Sequence, residues 1–382
     1  MRESDLSSRW LGATVMAASD ESFGEKENLL NPEPALHSPG RYGFRGEIVD
    51  GWETRRRREP GHDWALIRLG APGAITSVDI DTSFFTGNFP EACRIDACGA
   101  EGYPSPAELA DPSTEWIEIV PRSALRGNSH NVFKVENRQR FTHVRLSIFP
   151  DGGVARLRVL GQVIPDPRLL DGVSVDLLSP RLGGAVIASS DDFYTSAHLL
   201  IRPDQARTMG EGWETKRRRD GGNDYVVFRL GLAGCAQQLI VDTRHYKYNA
   251  SAEIAVSASR SEQAVMDETA GWEPLLPRTR LQPDTYHVFP LAPRAAVSAI
   301  RLDAFPDGGL SRVRLIGTVD RAARRRAGYR WFNALPERQA RTCLAGLGLS
   351  DDAASQVVRQ RPLEAGAAGL EALKPLLEGS PT

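Results

Sequence analysis

Apolar and polar residues alternate at period two through a succession of short runs: WALIRLG, ITSVDID, CRIDACG, WIEIV, HNVFKV, THVRLSIF and ARLRVLG. Alternation of this kind turns one side of a segment toward a core and the other toward water, and it predicts half-buried β-strands. Gly, Pro, Asn and Asp separate the runs, as in the PDGG turn at Pro150, because these residues supply turn conformations cheaply. Strands at such regular spacing predict an all-β chain of antiparallel sandwiches. Beyond Asp320 the composition turns to Ala, Leu and Arg. That tail, 325–382, reads as two or three short helices, with Asn333 as a cap, Pro336 early in a helix and Ser350-Asp351-Asp352 opening another. The ARRR at Ala323 reads as a solvated linker.

The strand pattern occurs twice. GWETRRRREPGHDWALIRLG from Gly51 returns as GWETKRRRDGGNDYVVFRLG from Gly212, 161 positions later. The same offset relates Asp63 to Asp224, Asp81 to Asp242 and Asn88 to Asn249. It is 156 for Trp116 and Trp272, and for FPDGGVARLRVLGQV and FPDGGLSRVRLIGTV. Upstream, ASDESF and SSDDFY pair Asp20 with Asp191 at an offset of 171. Each change of offset is an insertion or deletion in a connecting loop. Two copies of this length are two whole domains and not a solenoid. They are expected over 9–164 and 180–320, joined by PDPRLLDG. The order of acidic-Gly-Trp, polar loop and strand ending in Leu-Gly is similar to the galactose-binding or discoidin type of jelly roll, in which loops at one end carry the ligand.

The Arg run constrains its own position. In one regular strand Trp52, Thr54, Arg56 and Arg58 would share a face, and a buried Trp would draw two guanidinium groups into the core. Unpaired buried charge is prohibitively costly, so the strand must give way near Thr54 and leave the arginines on a loop at the rim. There Glu53 is expected to hold one of them in a bidentate pair. Two readings remain open: Glu53 and Asp63 tether neighbouring arginines for the fold's sake, or the arginines grip a small carboxylate in their fixed fork. Acids and bases nearby are Asp20, Glu53, His62, Asp63, Asp81 and Asn88 in copy one. Copy two has Asp191, Glu214, Asn223, Asp224, Asp242, His245 and Asn249. Asp81 and Asp242 close predicted strands beside these loops, and each is either a turn or Arg-pairing residue or a general acid or base. His62 becomes Asn223 and Phe84 becomes His245, so the two rims differ chemically. TGNFP at Thr86 becomes KYNAS at Lys247; losing Gly and Pro reshapes that loop, leaving copy two degraded as a site or contributing from another angle.

Charge excludes some partners. Lys and Arg number 47 against 49 Asp and Glu, a formal charge of −2, which argues against a nucleic-acid binder. No apolar run approaches the ~18 residues of a membrane span, and MRESDLSSRW and EGSPT match neither a signal peptide nor a peroxisomal address. Four cysteines without metal-ligand spacing fit a reducing compartment. Cytoplasmic is the expectation. His37, His130, His143, His198 and His287 show no metal-ligand spacing and read as surface or packing residues. No GxSxG, P-loop, HExxH or strand-linked GxGxxG is present.

The order GWETRRRR, HDW, RLG, VDIDTSFFTGNFP, FPDGG, repeated as GWETKRRR, NDY, RLG, VDT, FPDGG, closely resembles the allantoicase family over about residues 9–320. The resemblance implies two jelly-roll modules, hydrolysis of allantoate to ureidoglycolate and urea in purine breakdown, and a homo-oligomer. On that chemistry Arg55, Arg57, Asn88 and Arg218 are the expected substrate-binding residues. Glu53, His62 and Asp81, with Glu214, Asp242 and His245 in copy two, are the expected groups that orient or move protons. No spacing demands a metal, and the cofactor requirement is open. The tail's FNALPERQA and VVRQRPL resemble the start of ureidoimidazoline decarboxylase without the part that would carry its catalysis, so a docking or oligomerisation appendage is expected there. The rival reading is a tandem carbohydrate-binding protein with no activity, since fold alone does not fix function.

Overall fold

The protein is described by a computed structural model covering residues 3–37, 39–261, 271–366 and 371–379; residues 367–370 and 380–382 of the expected helical extension lie outside it. The chain forms two units, 1–165 with 330–369, and 166–329 with 370–382.

In the first unit every strand pairing is antiparallel, and the centre is one long strand, Asp63–Asp81. Its first part pairs with Arg140–Phe149 and Thr14–Ala18, its second with Arg156–Val163 and His130–Lys134. Between them the register slips: Gly73 faces Phe141 while Arg68 faces His143, so Leu69–Pro72 form a corner where the strand passes from one layer to the other. Gly70 is required there, since a Cβ would lie 2.6 Å from the Cβ of Leu11 and 2.8 Å from the Ala13 nitrogen. Ile67, Ile75, Val78, Ile80, Val144, Leu146, Leu157 and Val159 fill the space between the layers. Each such side chain contributes roughly 1.5–3 kcal/mol by leaving water. The second unit repeats this plan with Asp224–Asp242 as its long strand and Arg312–Val319, Val297–Phe305, Glu253–Ser259 and Glu273–Arg280 around it.

The corner has a consequence for the rim. Asp63 lies beside Ile148, and Asp81 pairs with Arg156. Only the turn after Phe149 separates those two partners in sequence, so both ends of the long strand come back to the same edge of the sandwich. Gly153–Val154, from the PDGG turn, pairs with Trp52–Glu53. Trp52 is buried and donates Nε1–H to the Asp20 carbonyl at 2.7 Å; Trp213 does the same to Asp191 at 2.8 Å. Strand pairing ends at Glu53. Thr54 is buried, and Arg55, Arg56 and Arg58 are exposed. The Arg run leaves the sheet where the cost of burying its charges requires.

Helices follow the second sandwich. Arg321–Ala334 is helical, and Ala323 and Arg324 are buried, which corrects the expectation of a solvated linker there. Arg324 is tolerated inside because Asp171 takes its Nε and Nη2 at 2.7 and 2.9 Å, both within the second unit. Asn333 lies inside this helix and bonds the Leu363 backbone instead of capping. Pro336 precedes Glu337–Gly346, and Ser350 caps Asp351–Arg359. In the first unit, Gln339 donates to Glu101 at 2.8 Å, tying this segment to the sandwich.

The Thr54 hydroxyl accepts from the Gly152 amide at 3.1 Å, and both groups are buried. Thr54→Val should lower the stability of the first unit by about 1–3 kcal/mol, the cost of stranding a buried amide. Denaturant unfolding compared with the native chain reads this out, and an unchanged midpoint would contradict it.

Candidate functional site

The rim of the first sandwich gathers the expected residues into three small groups. In the first, Glu53 is half-buried and its Oε1 accepts from Asn88 Nδ2 at 2.7 Å. Asn88 is drawn in because the PDGG turn reaches it: the Gly153 amide donates to the Asn88 carbonyl at 2.7 Å. A Cβ at Gly152, whose φ is +140°, would lie 2.6 Å from that same oxygen. Burial pushes the Glu53 carboxyl up from its ordinary range, the Asn88 amide opposes the rise, and the Glu47 carboxylate adds to it. Among the described residues the expected Glu53–Arg pair is not formed, and the Asn88 amide takes the position instead.

The second group is built on the Arg run. Arg57 donates Nη1 to the buried Asp63 at 2.8 Å, and its backbone amide donates to Asp151 of the PDGG turn at 2.7 Å. Its Nε is covered and has no hydrogen-bond partner among the described residues, and neither has Oδ2 of Asp63. Arg55 is exposed and lies 3.4 Å from Asp20, which also accepts the Arg55 amide at 2.8 Å. The His62 ring packs against Phe149 at a tilt of 33°, centroids 4.8 Å apart. Burial pulls the His62 imidazole below its usual range, and Arg94, Arg57 and Arg145 push the same way against the Asp63 charge.

The third group centres on Asp81, which is buried and accepts the Ser83 amide at 2.8 Å. His130 faces it across the sheet. The imidazole bonds Asp79 through Nδ1 at 2.8 Å, and its Nε2 lies 4.0 Å from Asp81. The Asp79 bond raises the His130 pKa against the opposing effect of burial, and the charges of Asp81 and Asp79 add to the rise. His130 reads as a surface or packing residue in the sequence because its link to Asp81 depends on cross-strand register. No hydrogen bond or ion pair among the described residues joins Asp81 to Arg57 or Glu53.

The second rim has the same frame with other partners. Asn249 donates to Glu214 at 2.7 Å. Arg218 donates Nη1 to Asp224 at 2.9 Å. Asp242 is held by Arg244, whose Nε lies 3.0 and 2.9 Å from its two oxygens. His245, at φ 75°, has its Nε2 2.8 Å from the Ala206 carbonyl oxygen. Among the described residues, no group of three or more His, Cys, Asp and Glu side chains is gathered to hold a metal ion. No helix among them is long and apolar enough to cross a membrane.

The rims therefore offer arginine forks, amide-held carboxylates and buried aspartates at the ends of long strands, a set suited to a small anion that exchanges protons. Comparison with known proteins gives the setting. The allantoicase repeat model matches residues 4–164 and 175–320. A probable allantoicase of Streptomyces coelicolor is 46% identical over 334 residues, covering 84% of this chain and 87% of that protein. One of Nocardia farcinica is 48% identical over 317 residues, covering 82% and 94%. The crystal structure of allantoicase from Saccharomyces cerevisiae superposes with a TM-score of 0.70 at 32% identity, covering 82% of this chain and 93% of that one. With both repeats matched in order and most of its length shared, the chain belongs to the allantoicase family.

Proposed function

We infer that the protein is a hydrolase that converts allantoate and water to ureidoglycolate and urea in purine degradation. The observation that carries this reading is the match of both repeats to the allantoicase repeat; the chemistry of the rims agrees with it. A carbohydrate-binding role has no comparable support.

Allantoate is a small carboxylate whose α-carbon bears two ureido groups. Breaking one C–N bond requires the carboxylate held, the departing urea protonated, and water delivered to the electrophilic carbon. The lone pair of the remaining ureido nitrogen helps expel the first group, so no bond between enzyme and substrate is needed. In this reading Arg55 and Arg57 bind the carboxylate and Asn88 the ureido group. Glu53 takes the proton from water, and His62 and Asp81 orient groups or supply the proton that leaves with urea. Glu214, Arg218, Asp242 and His245 are the counterparts in the second repeat. The raised Glu53 carboxyl suits a base, being more basic than an ordinary one. The reading also carries a homo-oligomer working in the cytoplasm; the first rests on the family resemblance, the second on cysteine usage suited to a reducing compartment.

The purified chain incubated with allantoate should release urea and ureidoglycolate in equal amounts; none of either would refute the function. Glu53→Gln should lower kcat by about 10²–10⁴-fold with KM little changed, and a variant at full rate would remove Glu53 from the chemistry.

The pH profile offers a separate check. A base is lost as pH falls through its pKa, and the Asn88 bond holds the Glu53 pKa down against burial. Asn88→Ala should therefore move the acid limb of kcat/KM to higher pH. A limb that stays or moves lower would contradict the pairing.

A further inference from the structure

The two rims share a frame, but in the second repeat the groups that would meet a ligand are occupied by the repeat's own side chains. Arg218 turns its outer edge to Asp220, Nε to Oδ1 at 3.1 Å and Nη2 to Oδ2 at 2.7 Å, while Nη1 remains on Asp224. This is the two-pronged geometry by which an arginine receives any carboxylate. Arg57 stands the same way in the first repeat. Its Nη1 is on Asp63, and a Cβ on Gly61 would lie 2.7 Å from its Nη2, as one on Gly222 would lie 2.8 Å from that of Arg218. The counterpart of Asp220 is Glu59, which is exposed and forms no ion pair among the described residues. The Arg57 Nε is left covered and without a hydrogen-bond partner among the described residues.

The cause is legible in two letters of sequence. Arg219-Asp220-Gly221-Gly222 lets the chain double back: Gly221 has φ +75°, and the Gly222 amide donates to Asp220 at 3.1 Å, fixing the carboxylate toward Arg218. Arg58-Glu59-Pro60-Gly61 has a longer acid followed by proline. Proline confines the residue before it to extended backbone. An independent difference points the same way. Asp242 is neutralised by Arg244, whereas the counterpart of Arg244 is Ser83, which gives Asp81 a backbone amide and no charge.

Building on the reading of this chain as an allantoate hydrolase, we propose that the substrate carboxylate takes on Arg57 the place that Asp220 takes on Arg218. The reaction then runs at the rim of the first repeat, and the rim of the second is closed by its own ions. A carboxylate tethered two residues from its arginine is present at a high effective concentration, so a free metabolite must displace it before binding.

Transplanting the closure tests this. Glu59→Asp with Pro60→Gly should raise the KM for allantoate by about tenfold or more, the scale of one charge-assisted contact, with kcat for urea release within about threefold. Asp220→Asn, which loosens the closure in the other repeat, should leave both constants unchanged. A transplant whose KM stays within about twofold of native overturns the proposal, and so does an Asp220→Asn variant whose KM rises as far. Arg57→Lys reads the same contact without altering the loop, and should it keep a native KM the proposal fails. If the native chain releases no urea, the function fails separately. Calorimetric binding of allantoate then decides the site: tighter binding by native than by transplant supports it, and equal or no binding overturns it.

Discussion

The rim depends on one boundary, the step from buried Trp52 to exposed arginine within four residues. Trp52 is fixed by its bond to the Asp20 carbonyl, and Thr54 by its bond to Gly152. Beyond them the backbone cannot continue in the sheet without taking guanidinium groups inside, a cost no neighbouring contact would offset. The Arg run is thus expelled at a defined place. That place lies beside the PDGG turn, whose Asp151 catches the Arg57 amide and whose Gly153 catches Asn88. One turn therefore positions both the cation and the amide that holds Glu53.

The sequence made the duplication, the period-two strands and the exit of the arginines legible, because each is a local pattern or an internal comparison. It did not make the partner of Glu53 legible. Nearby charges favour an arginine, yet Asn88, 35 residues away, takes the bond, because the PDGG turn and not sequence proximity sets that distance. His130 was hidden for a related reason. Its approach to Asp79 and Asp81 exists only once the strands His130–Lys134 and Asp63–Asp81 are in register. In the tail, ARRR resembles a solvated linker until Asp171 is brought to Arg324; a buried arginine is readable only from its partner.

The corner at Leu69–Pro72 matters as much as the rim chemistry. A straight strand of this length would put Asp63 and Asp81 at opposite ends of the sandwich. Because the strand turns between layers, two buried aspartates arrive at one edge, each beside a strand that leaves the turn after Phe149. The same corner in the second repeat brings Asp224 and Asp242 together. Burying a carboxylate at such an edge is costly without a counter-charge or hydrogen-bond donors beside it. Asp63 has Arg57, and Asp242 has Arg244. Asp81 has one amide and a histidine at the limit of ion-pair distance.

Duplication gives a chain two equal frames, and the frames here are still nearly equal: the Trp anchors, the Asn–Glu bonds and the Arg–Asp pairs recur within about 0.1 Å. The differences fall on residues that touch nothing in the core. Exchanging Glu-Pro for Asp-Gly, or Ser for Arg, costs the sandwich little because all six residues are partly or fully exposed. At the rim the same exchanges decide whether an arginine or an aspartate already has its counter-ion. Fold and reactivity can diverge in this way because the scaffold fixes where charges stand, while the loops between its strands determine which of them are already paired.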